Sequence, residues 1–218
     1  AEIWMSKDCT LNNKRYELKR TLTLRGGFSG SERDADERNK DNKSLFQSVS
    51  FSSQTAIDGT LTFDGINFRA EVGDSDIIKQ IQWDTAADNN ALVIQNCLLS
   101  GAFSVETSAR LASVTVKDTV IRDTERIYRK SALKLQCDTA HIENCTIPDD
   151  YWDYSNGAAK SHVGRLIFDV NRESEPAQSV TVKNCRFAQY WAQQFTAQTV
   201  TVERVTTQAE GWYISKAK

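Results

Sequence analysis

VTVKNCRF (180–187) decides how this chain is read. Val180 and Val182 alternate with Thr181 and Lys183, the period of a strand with one buried face. Asn184 then suits a left-handed turn, because its short polar side chain tolerates that backbone region. Beyond it Cys185 and Phe187 alternate with Arg186 as a second strand. The pattern returns in LTFDGINF (61–68), LVIQNCLL (92–99), VTVKDTVI (114–121), AHIENCTI (140–147) and VTVERVTT (200–207). A third run precedes each copy: LFQSVSF (45–51), IIKQIQW (77–83), FSVETSA (103–109), ALKLQC (132–137), RLIFDV (165–170) and FTAQ (195–198). The copies start 31, 22, 26, 40 and 20 residues apart in order. Strand-based repeats at such a period predict a solenoid of stacked coils.

The expected fold is therefore all-β: a single parallel β-helix over residues 1–218, with about three strands per coil and seven or eight coils. Residues 1–44 form an N-terminal coil with a charged loop, 45–208 the regular coils, and 209–218 an end or cap in which Trp212, Tyr213 and Ile214 fold over the last coil. Parallel crossovers favour a right hand.

With 218 residues the chain can bury a sizeable core. Its net charge of −2 gives no basic surplus for nucleic acid. No apolar run approaches the length that spans a bilayer. Residue 1 begins no signal peptide, so export implies prior removal of one. Five cysteines, Cys9, Cys97, Cys137, Cys145 and Cys185, cannot all pair within one chain. Cys97, Cys145 and Cys185 share one place in the repeat and read as small buried fillers. No zinc spacing occurs, and His141 and His162 lie too far apart in sequence for a histidine metal site. Asp34, Asp36 and Asp41 lack the spacing and glycine of a calcium loop. No cofactor or metal is expected.

The outward fourth position of the repeat holds Asp64, Gln95, Lys117, Glu143, Lys183 and Glu203, and reads as register control. The outward second position holds Thr62, Thr115, Thr181 and Thr201. Val93 and His141 interrupt this threonine column and charges flank it, so strand propensity explains it better than an ice-binding face does.

TLTLRGGFSGSERDADERN (21–39) resembles the opening of secreted β-helix proteins of Bacteroidetes and of the polymorphic outer-membrane type. Asn96-Cys97, Asn144-Cys145 and Asn184-Cys185 resemble turns of the pectate-lyase-like right-handed parallel β-helix superfamily. The resemblance implies the fold and export to a bacterial surface or periplasm. It implies no single activity, because that superfamily holds lyases, hydrolases and adhesins. Within the motif, GGFSGSE reads as a bulged turn with Phe28 folded inward, and RDADERNKDNKS (33–44) as a solvated loop.

Sites are expected in the loops that follow the second strand of the repeat, because such loops leave a solenoid at one corner. RDTERIYRKS (122–131) brings Arg122, Arg126, Tyr128, Arg129 and Lys130. PDDYWDYSNGAAKSHVG (148–164) brings Asp149, Asp150, Tyr151, Trp152, Asp153, Tyr154 and His162. AQYWAQQ (188–194) brings Tyr190 and Trp191. Aromatic faces with a few polar groups suit glycan capture. The expected ligand residues are Tyr128, Tyr151, Trp152, Tyr154, Tyr190 and Trp191. The expected function is a non-catalytic surface binding or adhesion module. A polysaccharide lyase or glycoside hydrolase would instead use Arg122, Arg126, Arg129, Lys130, Asp149, Asp150, Asp153 and His162 as acids, bases and charge stabilisers. The RxPxxR segment of pectate lyases is absent, and no GHG or RIK accompanies the Asp149-Asp150 pair. A structural stalk is the third reading, and end-to-end self-association of coils a further expectation.

Overall fold

The computed structural model describes residues 1–53, 58–70, 79–83, 89–101, 104–107, 109–122, 133–148, 166–171, 175–187, 192–207 and 212–216. Those residues form eight coils of a parallel β-helix. The first coil carries β1 (Glu2–Ser6), β2 (Thr10–Asn12) and β3 (Arg15–Glu17). The second carries β4 (Thr23–Phe28), β5 (Ser44–Gln47) and β6 (Ser50–Ser53). The third has β7 (Thr60–Asp64), β8 (Ile66–Ala70) and β9 (Lys79–Trp83). The fourth has β10 (Ala91–Gln95), β11 (Leu98–Gly101) and β12 (Ser104–Thr107). In the fifth lie β13 (Leu111–Lys117), β14 (Val120–Arg122) and β15 (Leu133–Leu135). In the sixth, β16 (Cys137–Glu143) and β17 (Leu166–Val170) flank a single bridge at Thr146. The seventh runs through β18 (Ala177–Lys183) and β19 (Arg186–Phe187) into β20 (Ala192–Glu203). The rest of β20, β21 (Thr206–Thr207) and β22 (Trp212–Lys216) make the eighth.

Strands at equivalent places stack into three faces, and their pairings are parallel. One face is β1-β4-β7-β10-β13-β16-β18-β20. The second is β2-β5-β8-β11-β14, continued through Thr146 to β19 and β21. The third is β3-β6-β9-β12-β15-β17-β20-β22.

In the first five copies the repeat's apolar positions form the core, with Leu61, Phe63, Leu92, Ile94, Val114, Val116, Ile142, Val180 and Val182 buried, whereas Val202 of the sixth copy is exposed. The turn residue sits in the left-handed region in six successive coils: Gly65 (φ 71°), Asn96 (57°), Asp118 (48°), Asn144 (53°), Asn184 (51°) and Arg204 (50°). The coil-to-coil ladder continues through these turns, with Asn96 N–H donating to Lys117 O at 3.1 Å and Asn144 N–H to Lys183 O at 3.0 Å. Arg204 alone in the column has a side chain with no local remedy for this conformation. Arg204→Asn is expected to raise stability by about 1 kcal/mol, read from the urea midpoint.

On the outer side of the first face the register is one-to-one from β7 to β20. It builds three columns. Thr60, Ala91, Ser113, Thr139, Ser179 and Thr199 make one. Thr62, Val93, Thr115, His141, Thr181 and Thr201 make the second. Asp64, Gln95, Lys117, Glu143, Lys183 and Glu203 make the third. Lys183 and Glu203 pair at 3.2 Å, as the sign alternation implies.

Several expectations change. LFQSVSF is two strands on different faces, because Ser48 takes a left-handed corner (φ 51°) between β5 and β6. Residues 1–24 hold a full coil and the start of another, with Asn13 (φ 48°) turning β2 into β3. FTAQ belongs to β20, which passes from the third face to the first without a break. At the C-terminal end, β22, which contains Trp212, Tyr213 and Ile214, pairs with β20 in parallel as a strand of an eighth coil.

Candidate functional site

The second face fixes where the expected site loops begin. Ser100 pairs with Arg122, and Val120 with Thr146, which pairs in turn with Arg186. The chain therefore leaves this face from neighbouring coils after β14, after Thr146 and after β19. It returns on neighbouring strands of the third face, where Leu133 of β15 pairs with Phe168 of β17, and Val170 pairs with Phe195 of β20. Arg122 closes β14. The other expected site residues, Arg126, Tyr128, Arg129, Lys130, Asp149, Asp150, Tyr151, Trp152, Asp153, Tyr154, His162, Tyr190 and Trp191, lie outside the described residues.

Where those segments rejoin the third face, the outward row reads Glu106, Lys134, Asp169, Gln194 on consecutive coils. Neighbours in such a row stand about 4.8 Å apart. Asp169 lies between Phe168 and Val170, both core residues, so alternation points it outward. It is nonetheless only 3% exposed. Glu106, Lys134 and Asp169 all have interaction partners. Buried charges persist when paired, and an acid–base–acid row can hold the polar groups of a ligand or move a proton. Sequence reasoning passed over this row. Its signal was the single charged residue centred in each apolar triplet, LKL (133–135) and FDV (168–170).

The GGFSGSE segment proves to be a structural clasp. Trp4 and Arg25 pair directly, but Ser6 pairs with Phe28, so a bulge falls at Gly26-Gly27. A Cβ on Gly26 would strike the Gly65 carbonyl oxygen, and Gly27 takes φ 89° against the Asn42 carbonyl. Phe28 is buried as expected, but outside the main core, stacked on Trp4 with ring centroids 4.7 Å apart and with the Arg38 guanidinium 5.8 Å above its ring. The Glu32 carboxylate accepts hydrogen bonds from the backbone N–H groups of Ser29, Gly30 and Ser31 at 2.8–3.0 Å. Hydrogen bonding to Ser29 first, and to the backbone N–H groups of Glu32 and Gly30, lowers its pKa from the ordinary 4.5 to about 2. A carboxyl depressed in the fold helps hold the turn above pH 4.5 and releases it as pH falls toward 2. The Ser29–Ser31 amides are expected to lose hydrogen-exchange protection over that interval.

The 33–44 loop is not wholly solvated. Arg38 is 6% exposed and Asp64 1%. The Arg38 guanidinium pairs with the Asp64 carboxylate and donates to Gly26 O at 2.8 Å. Gln95 donates to the same carboxylate at 3.0 Å, and Arg25 lies 3.6 Å from it. This one carboxylate ties the loop to coils two, three and four.

Cys97, Cys145 and Cys185 fill the core as the repeat predicted, and all five cysteines are free. Each of the three thiols lies against the carbonyl two residues back: Gln95 O at 3.1 Å, Glu143 O at 3.3 Å and Lys183 O at 3.1 Å. Burial pushes Cys97 and Cys137 up to about 12, and the Cys185 sulfur together with burial raises Cys145; the hydrogen bond with Cys145 lowers Cys185, which its burial keeps from reagents. Thiolates are the reactive form. Cys9 is partly exposed at an apolar cavity of about 540 Å³ on the first coil, lined by Ile3, Met5, Leu11, Phe46 and Phe51. A thiol reagent is expected to titrate one group per native chain, at Cys9, and five after denaturation.

Among the described residues no cluster of three or more His, Cys, Asp or Glu could hold a metal ion. Among them, too, no helix is long and apolar enough to cross a membrane. Comparison of the chain with protein families, with curated proteins and with solved structures gives no match.

Proposed function

We propose that this chain is an exported bacterial binding or adhesion module that contacts glycans through the 122–131, 148–164 and 188–194 segments, and that it belongs with the pectate-lyase-like β-helices. The observation that supports this is the stacking of the strands that bound those segments. Their departure points on the second face and return points on the third are hydrogen-bonded neighbours. Segments far apart in sequence are therefore tethered to one corner of a rigid scaffold, the arrangement in which loops commonly carry binding. Their composition, with Tyr151, Trp152, Tyr154, Tyr190 and Trp191, suits stacking on the C–H faces of sugar rings.

Trp152→Ala and Trp191→Ala are expected to abolish binding on a glycan array while leaving the melting temperature within a few degrees of wild type. Blank arrays for the wild-type chain overturn the glycan reading and favour a stalk.

The Glu106–Lys134–Asp169 row supports an enzyme as the second reading. It sets acids and a base on the face where the same segments return. Lyase chemistry on uronate polysaccharides would release unsaturated products absorbing in the ultraviolet. A broad polysaccharide panel without product or chain shortening eliminates it.

A further inference from the structure

The first face carries a feature that the repeat alone did not reveal. The threonine column at the second repeat position is accompanied by another hydroxyl column one step nearer the start of each strand, from Thr60 to Thr199. Over six coils the first two outward columns hold Thr or Ser at nine of twelve places, the others being Ala91, Val93 and His141. Strand propensity alone would scatter threonine among all outward positions. Here the outward positions are sorted, with hydroxyls in two columns and charges or amides in the third.

The columns are set by the hydrogen-bonded ladder, about 4.8 Å apart along the solenoid and about 6.8 Å across it. No bulge interrupts the register from β7 to β20. Thr139 donates to Ala112 O at 3.2 Å. Among the described residues, the hydroxyls of Thr62, Ser113, Thr115, Ser179, Thr181 and Thr201 have no protein partner. They face water. His141 interrupts the second column less than its size implies, because its ring nitrogen lies 3.2 Å from Glu143 and so leans toward the charged column.

We infer that this face binds ice. A threonine offers a hydroxyl that fixes a water by hydrogen bonding and a methyl that limits where neighbouring waters can sit. A two-column array of such hydroxyls, most of them threonine, held in register by the strand ladder orders a sheet of water at a repeat close to that of oxygen on the prism faces of hexagonal ice. That sheet joins a growing crystal and anchors the protein to it. The surface is separate from the glycan-facing corner, so its test stands apart from that reading.

The test measures thermal hysteresis and partition into a slowly grown ice hemisphere, using the whole chain. The wild type is expected to shape ice crystals, show hysteresis and enter the ice. Thr115→Lys and Thr181→Lys each put a long charged side chain in the middle of the array and are expected to lose hysteresis. Thr206→Lys, on the exposed outer side of the second face, is expected to retain it. Circular dichroism and melting confirm that each variant is folded. Exclusion of the wild type from ice overturns the inference. So does full hysteresis in folded Thr115→Lys and Thr181→Lys.

Discussion

Arg38→Ala is expected to destabilise the chain by about 3 kcal/mol, because it takes the nearest cation from a buried carboxylate and leaves only Gln95 and the more distant Arg25 beside it. Arg38 and Asp64 have side chains only 3% and 2% exposed, so water cannot replace the lost partner. The arginine also donates to Gly26 O and Asp64 O, closing the bulge where the chain leaves β4. Its removal should therefore free the whole 29–43 insertion, seen as lost exchange protection in coils two and three before global unfolding. Urea denaturation of Arg38→Ala, Asp64→Ala and the double variant forms a mutant cycle. The double variant is expected to cost less than the two singles summed, since neither charge is then left alone. Additive losses would mean that the pair is not energetically coupled.

Phe63→Ala is expected to cost about 3–5 kcal/mol, the range for deleting a fully buried aromatic side chain. Phe63 is wholly buried in coil three. Its ring centroid lies 5.0 Å from that of Phe51 and 5.4 Å from that of Phe68, and Phe46 completes the cluster at 5.5 Å from Phe68. Coils two and three are thus joined by four rings as well as by strand ladders. Phe63→Leu keeps most of the volume and is expected to lose much less, which separates packing from any effect on the backbone. Equal losses in the two variants would contradict this account of the cluster.

The architecture was legible because inward positions of a strand repeat at period two and the turn residue recurs at a fixed offset. Val180, Val182, Asn184 and Cys185 announced their own environments, and the left-handed angles of Asn96, Asn144 and Asn184 follow from their residue type. Arg204 shows that position in the stack overrides residue preference. Three things were not legible for a common reason: each depends on which coil lies beside which. Arg38 sits in a run of charges, and only its meeting with Asp64, 26 residues on, buries it. The second hydroxyl column precedes the repeat and looks like loop until the register aligns it. Asp169 resembles any outward strand residue, and nothing in its triplet announces that it is only 3% exposed. The loop residues from Arg126 to Trp191 were chosen by composition and by the corner they share, and the structure bears on their tethers alone.

Distances between spin labels along the first face test the coil stacking most directly. In a Cys9→Ser background, with the buried thiols unreactive, cysteines are placed in pairs at Thr62 and Thr181, Thr62 and Thr201, and Thr23 and Thr201. These pairs are four, five and six coil steps apart. Double electron–electron resonance is expected to give backbone separations of about 19, 24 and 29 Å, rising by one strand spacing per step. Separations that do not increase with the number of intervening coils would contradict the parallel β-helix and, with it, the single corner from which the proposed binding segments depart.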